Sequence, residues 1–218
     1  MTSGNSVIGE KTSAKSTADT YEKGRVFRMK AVYTGLFAAL SYVVFTFLQI
    51  KIPLPGGDAT SIHLGNAVVV LGALILGGVW GGLGGAIGMT IGDLFDPIYV
   101  IYAPKTFFCK FFIGIITGLI AHRLFRLNDT HDGKKVLRIS AAAAAAGLIF
   151  NMIADPLIGY FYKRAILGRP AAQVTLAWNI ASTSINAVIS LIASVLLYRA
   201  LRGPLRRAGV IGTKEGEE

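Results

Sequence analysis

Long apolar runs alternate with short polar or Pro/Gly-rich segments from about residue 31 onwards. Several of these runs approach the ~20 residues that an α-helix needs to cross ~30 Å of hydrocarbon. The breaks between the runs predict helices at about 31–50, 62–77, 82–95, 105–122, 139–162 and 173–198. The pattern therefore predicts an all-α membrane protein, built as a bundle of six transmembrane helices.

The stretch Gly77–Gly92 stands out because eight of its sixteen residues are glycine. These glycines repeat at four-residue spacing in two series, Gly81 and Gly85, then Gly84, Gly88 and Gly92. A phosphate-binding loop would need a following Lys and Ser or Thr, and a flexible linker would be rich in serine; neither is present. Helices in lipid pack where small residues let their backbones approach closely. We therefore predict a tight turn near 78–82, followed by a helix that lies at the crowded centre of the bundle.

Composition agrees with a membrane location and suggests an orientation. Only 16% of the 218 residues are charged, against ~25% in soluble domains. Lys and Arg number six before residue 31, five in segment 123–138 and five from residue 199 onwards, against six on the opposite side. The positive-inside rule therefore puts both termini in the cytoplasm. The net charge of +10 thus reflects topology, and no nucleic-acid partner is predicted.

Three segments are predicted along the chain. Residues 1–24 are rich in Ser, Thr, Lys and Gly without an apolar period, which is typical of a disordered arm, here cytoplasmic. Residues 25–203 form the membrane domain, and residues 204–218 form a charged cytoplasmic tail. Cys109 is the single cysteine, so a disulfide framework is excluded.

Polar side chains within the predicted helices fall at one depth, in the outer half of the bundle. Such side chains are costly in hydrocarbon and usually face a cavity. The inner halves of the first, fourth and sixth helices are almost purely apolar, whereas an ion path needs polar residues across the full thickness. We predict a pocket that is open outward and closed below. Its polar wall is predicted to contain Asn66, Lys105, Lys110, Asn151, Asp155, Asn179, Thr183 and Asn186.

Each polar side chain also has a structural interpretation. Asparagines of the last two helices can join neighbouring helices through hydrogen bonds worth ~0.6 kcal/mol each. Lys105 can snorkel to the interface, and Lys110 can form a structural ion pair with Asp93 or Asp155. His63 is more commonly a packed interfacial histidine than a ligand contact.

Enzymatic signatures are missing from the sequence. It contains no HExxH, no GxSxG and no pair of Cys or His residues that suggests a metal. It also lacks a GxxxxGK[ST] loop, so it is not predicted to hydrolyse nucleotide itself. We therefore expect neither an enzyme nor a cofactor, and any uphill transport must be energised by an ion or by another chain.

Several short motifs occur in a characteristic order and spacing. They are Ile62–Asn66, Gly92–Leu94, Ile101–Phe107, Lys110–Gly118, Trp178–Ile180 and Ile185–Asn186. With the Gly-rich turn between the first two, they resemble the substrate-binding S components of energy-coupling factor (ECF) transporters, and most of all the riboflavin-type branch. The resemblance covers about residues 30–201, and the family has six helices with both termini inside.

The resemblance implies partners. In that family, a small-residue AxxxA face of the first helix docks the transmembrane coupling subunit, which two ATPase subunits drive. Ala31, Gly35 and Ala39 have the matching four-residue spacing, with Gly35 in place of the first alanine. The expected location is the cell membrane of a prokaryote.

The resemblance also implies a vitamin or related small heteroaromatic micronutrient as ligand, and a lid formed by the loop between the first two helices. Gly56, Gly57 and Asp58 lie in this loop. Riboflavin, pyridoxine-like, pyrimidine and pantothenate-like ligands all stay open. The alternative functions are a self-sufficient secondary transporter or channel, or a non-transporting membrane scaffold or sensor.

Overall fold

The computed structural model describes residues 3–54, 56–168 and 172–211. Within these residues it contains six α-helices and one antiparallel pair of strands. In chain order the elements are α1 (Ser3–Phe47), β1 (Gln49–Leu54), β2 (Asp58–His63), α2 (Gly65–Leu76), α3 (Gly78–Leu94), α4 (Ala103–Gly118), α5 (Gly133–Phe161) and α6 (Ala172–Arg207). Turns of π-helix extend α4 over Leu119–Leu124 and α5 over Tyr162–Ile166. The predicted helical class is confirmed, with one small sheet added.

The chain divides into two compact units, Met1–Tyr33 and Thr34–Glu218. The first unit is the N-terminal part of α1, where Glu22 and Arg25 form an exposed ion pair at 3.0 Å. The start of α1 at Ser3 differs from the disordered arm predicted for 1–24. The segment contains no proline, so nothing stops a helix that continues backward from the apolar run. Residues 1–2 of the predicted arm and 212–218 of the predicted tail lie outside the described residues.

Four helical segments of the described chain are long and apolar enough to cross a membrane. They are Thr20–Phe47, Val100–Leu124, Gly133–Ile166 and Thr175–Arg207. Helix α2 is apolar but has 12 residues, which at ~1.5 Å per residue is shorter than ~30 Å of hydrocarbon. A multi-pass membrane protein follows from the four long helices, while the count of six spans and the cytoplasmic termini stay predictions.

A β-hairpin takes the place of the predicted loop and of the start of the predicted second helix. Its strands pair antiparallel with Gln49 opposite His63, and Gly56 and Gly57 form its turn with φ values of 82° and 72°. The all-α prediction missed this sheet. The prolines of this region prevent a helix but are tolerated on an edge strand, because a two-stranded sheet leaves one side of each strand unpaired.

The connection between α2 and α3 is shorter than predicted. It consists of Gly77 alone, whose φ of 89° glycine adopts without steric cost. The residues at 78–82, which we predicted to form the turn, already belong to α3. Helices α2 and α3 are therefore joined as tightly as two antiparallel neighbours can be.

Helix α3 packs against three other helices through its glycines. A Cβ on Gly81 would overlap the backbone of Gly72 and Ala73 in α2, and one on Gly88 would overlap the carbonyl of Ala38 in α1. On the side of α4, Gly82 and Gly114 leave no room for a Cβ on either residue. The central position of α3 is confirmed, and its glycines contact neighbouring helices on three sides.

We expect Gly81→Ala to destabilise the protein by about 3 kcal/mol or more, because the methyl group would meet backbone that cannot move without separating α2 from α3. The melting temperature and yield of the purified protein in detergent measure this effect. Gly35→Ala is the matched control, since a Cβ there meets nothing within 4 Å. Equal melting temperatures for the two variants would contradict the central role of α3.

Candidate functional site

A polar cavity of about 90 Å³ lies within the second unit, between the hairpin and the helix ends next to it. All eight residues predicted to form the polar wall line this cavity: Asn66, Lys105, Lys110, Asn151, Asp155, Asn179, Thr183 and Asn186. Ligand binding by these residues stays a prediction, but the structure brings them together from four helices. Residues of β2 complete the lining.

The fold explains why these side chains meet. Asn66 lies in the first turn of α2 and Asp93 in the last turn of α3, so the antiparallel pair brings them to the same end. Lys105 lies in the first turn of α4. Asp155 lies in the later part of α5, which runs antiparallel to α4. The cavity therefore lies at one end of the helical bundle.

A chain of polar contacts links α4 to α5 in the cavity wall. Asp155 Oδ1 accepts a hydrogen bond from Lys105 Nζ at 3.1 Å and lies 3.8 Å from Lys110 Nζ. Lys110 Nζ also donates to Asn151 Oδ1 at 3.1 Å. The predicted pairing of Lys110 with Asp155 is thus present. Two ammonium groups share one carboxylate, so neither lysine is buried without a counter-charge.

Asn186 connects the hairpin to α6. Its Oδ1 accepts from the backbone N–H of His63 at 2.9 Å, and its Nδ2 donates to the carbonyl of Ser61 at 2.9 Å. One turn earlier, the hydroxyls of Ser182 and Thr60 are 2.5 Å apart. Both ends of the Asn186 amide are therefore used in holding β2 over the cavity.

The predicted lid residues form the tip of the hairpin. Gly56 and Gly57 are exposed in the turn, whereas Asp58 is buried. Asp58 forms an ion pair with Lys163, and its Oδ1 also accepts from the hydroxyl of Tyr102 at 3.2 Å. Lys163 donates in addition to Thr175 Oγ1 at 3.3 Å. The tip is therefore tied by charge to the segment between α5 and α6.

A second ion pair, between Lys51 of β1 and Asp96 after α3, lies at the exposed rim of the hairpin. Burial opposes ionisation of Asp96, but hydrogen bonds from Lys51 and from the backbone N–H of Ile98 outweigh it and lower the pKa of Asp96. The Lys51 side chain is 42% exposed, so solvent screens this pair and its contribution to stability is small.

Sequence reasoning missed several residues that line the cavity. The helical pattern ends at Tyr162 and predicts a loop from Lys163 onwards, whereas in the structure a π-helical turn places Lys163 back in the bundle. Thr60 and Ser61 were overlooked because no strand was predicted there. The Ile50–Leu54 and Asp58–Ile62 segments do contain β-branched residues flanking two glycines, which is a hairpin signal.

The three residues predicted for docking are not among the residues that line the cavity. Ala31 in the first unit, and Gly35 and Ala39 in the second, are all exposed. Among the described residues, no cluster of His, Cys, Asp or Glu has the composition of a metal site.

The fold and the cavity define a multi-pass membrane protein with a polar site at one end of a helical bundle. The family model described as "ECF-type riboflavin transporter, S component" matches residues 28–203. The chain therefore belongs to this family, which confirms the resemblance seen in its motifs. The family is a component of vitamin transporters and not an enzyme. The chain matches no curated protein and no solved structure.

We expect Lys163→Met to destabilise the protein by about 3–5 kcal/mol, because it leaves the carboxylate of Asp58 buried without a counter-charge. The double variant Asp58→Asn, Lys163→Met should recover part of this loss. Lys51→Met is the control, with an expected change below about 1 kcal/mol, because its pair is exposed. Thermal unfolding in detergent measures all three, and a larger loss for Lys51→Met would contradict the assignment.

Proposed function

We propose that this protein is the substrate-capturing subunit of an ECF-type importer. It binds a vitamin or related small heteroaromatic micronutrient in the polar cavity, and an ATP-driven partner module then carries out uptake. The family supplies the class of transporter. The observation that carries the assignment of the site is the convergence of eight predicted polar residues on one cavity.

The chemistry of the cavity suits a small, polar and roughly neutral ligand. The cavity and its edge hold three lysines, Lys105, Lys110 and Lys163, and three aspartates, Asp93, Asp155 and Asp58. Tyr99, Tyr102 and Phe45 add aromatic surface to the lining. A strongly charged ligand would upset this balance in a buried site, whereas a flat ring can pack against the aromatic side chains.

Closure by the hairpin supports capture from the outer side. Its second strand lies over the cavity, where Asn186 and Ser182 hold it to α6. We propose that the cavity faces outward, in agreement with the positive-inside count, and that Gly56, Gly57 and Asp58 are the moving tip of a lid. Opening of this lid would let the ligand enter without exposing the floor of the bundle.

Energy for uptake is proposed to come from the partner module, a transmembrane coupling subunit with two ATPase subunits. The sequence has no nucleotide-hydrolysis loop of its own. Ala31, Gly35 and Ala39 are each exposed, and they are the residues proposed to dock the coupling subunit. A glycine and two alanines allow close backbone approach of a partner helix in lipid.

Uptake into liposomes tests this function. Liposomes that contain only this chain should bind the ligand, identified by mass spectrometry of the purified protein, without accumulating it. Addition of the coupling subunit and both ATPases with ATP should produce accumulation. Accumulation by this chain alone would instead indicate a secondary transporter or channel, and failure to bind any small molecule would indicate a scaffold or sensor.

Gly35→Leu tests the docking surface. The larger side chain should separate the helices and reduce co-purification of the coupling subunit at least about tenfold, while ligand binding by the isolated chain stays unchanged, because a side chain at Gly35 meets nothing within 4 Å. Gly203→Leu is the matched control, since it replaces an equally open glycine on α6. Unchanged co-purification of the Gly35→Leu variant would contradict docking through α1.

A further inference from the structure

Most polar side chains that line the cavity already have partners in the protein. Lys105 and Lys110 are bound to Asp155 and Asn151, and Asp93 is hydrogen-bonded to Thr106. Thr60 contacts Ser182, Lys163 binds Asp58, and Asn186 binds the backbone of β2. These groups shape the site, but their hydrogen-bonding capacity is largely used.

Asn66 is different. It is 1% exposed and lines the cavity, yet its Oδ1 accepts no hydrogen bond from any residue that the structure describes. A buried amide oxygen without a donor loses its hydration without compensation. A ligand that donates a hydrogen bond to this oxygen would supply the missing partner.

His63 offers the complementary atom. Its side chain also lines the cavity, and its Nδ1 accepts a hydrogen bond from the backbone N–H of Gly65 at 3.2 Å. A ring nitrogen that accepts cannot carry the proton, so a neutral His63 ring bears it on Nε2. No described residue accepts a hydrogen bond from this Nε2–H, which makes it a donor for a ligand.

The His63 side chain is held in place before any ligand arrives. The backbone N–H of His63 is bound by Asn186 at 2.9 Å, and its ring lies edge-to-face against Phe45 with the centroids 4.9 Å apart. Gly65, which lies between His63 and Asn66 in the sequence, packs on Met89. A Cβ added to Gly65 would lie 3.0 Å from the sulfur of Met89. Asn66 follows directly in the first turn of α2. His63 and Asn66 are three residues apart and line the same cavity, so one small ligand group can meet both the donor and the acceptor.

From this accounting we infer that His63 and Asn66 are the residues that select the ligand, through an amide-type edge. The ligand presents a carbonyl oxygen that accepts from His63 Nε2–H, and a neighbouring N–H that donates to Asn66 Oδ1. Ring lactams, ring imides and carboxamides carry such an edge, whereas alcohols and carboxylates do not. This inference rests on the proposed capture of a small molecule and narrows its chemistry.

Matched pairs of probes test the inference on the full-length protein in detergent, by isothermal titration calorimetry. The pairs are riboflavin with 3-methylriboflavin, nicotinamide with nicotinate, and uracil with 1,3-dimethyluracil; pyridoxine is the probe without an amide. In each pair only the first member has an intact amide edge. The wild-type protein should bind at least one probe that has an intact amide edge. It should bind the other probe of that pair at least about tenfold more weakly, because that probe leaves Asn66 Oδ1 without a hydrogen bond.

Isosteric variants assign the effect to the two residues. Asn66→Leu should reduce the discrimination within the pair to less than about threefold, whereas Asn66→Asp, which keeps an acceptor oxygen, should retain it. His63→Phe should weaken binding of the intact member at least about tenfold, and His63→Gln, which keeps a donor near the Nε2 position, should restore part of it. Asn128→Leu is the control, because Asn128 lies outside the cavity lining.

The outcomes separate this inference from the proposed function. Binding of pyridoxine, or equal binding of both members of a pair, shows capture of a small molecule but overturns selection by an amide edge. Discrimination that persists in Asn66→Leu overturns the role of Asn66. Absence of binding by every probe and of any co-purified ligand overturns the proposed function itself, and with it the inference.

Discussion

Close contact between helix backbones is the constraint on which the rest of this structure depends. Water drives apolar helices together in a soluble protein, but lipid does not, so packing relies on fit. Helix α3 meets this requirement on three sides, where its glycines face α1, α2 and α4. The contacts fix the distances between these helices, and they also bring the ends that carry Asn66, Asp93 and Lys105 to one level.

The second organising feature is the compensation of charge and hydrogen bonds around the cavity. Asp155 serves two lysines, and Asp58 serves Lys163 at the hairpin tip. A buried charge without a partner would cost several kcal/mol, so these pairs are needed for the site to exist in an apolar bundle. Because these charged groups are already paired with each other, few polar groups of the cavity are free to contact a ligand. The pair of Asp58 and Lys163 also attaches the hairpin to the helical segment next to the cavity.

Sequence reasoning succeeded where the signal is local and periodic. Apolar runs identified the helices, and the depth of polar residues along them identified the eight side chains that line the cavity. It failed where the structure depends on pairing between segments. The pattern predicts a loop and a helix start where the hairpin lies, because the strands of the hairpin are short. It predicts a loop at Lys163, because the π-helical turn that returns this residue to the bundle has no clear signature.

The amino-acid sequence alone determined that this is a membrane protein, that a glycine-rich helix lies at its centre, and which family it belongs to. It also determined that the polar side chains of the helices lie at one depth. Each of these conclusions depends on composition, spacing or ordered motifs. Only the tertiary structure decided which polar atoms are already bound and which are free. Asn186 is predicted to contact the ligand, but its side-chain amide forms hydrogen bonds with residues more than a hundred positions away. The side-chain oxygen of Asn66, by contrast, has no hydrogen-bond donor among the described residues. Hydrogen bonds between distant segments depend on the relative positions of whole helices, and spacing along the chain does not contain that information.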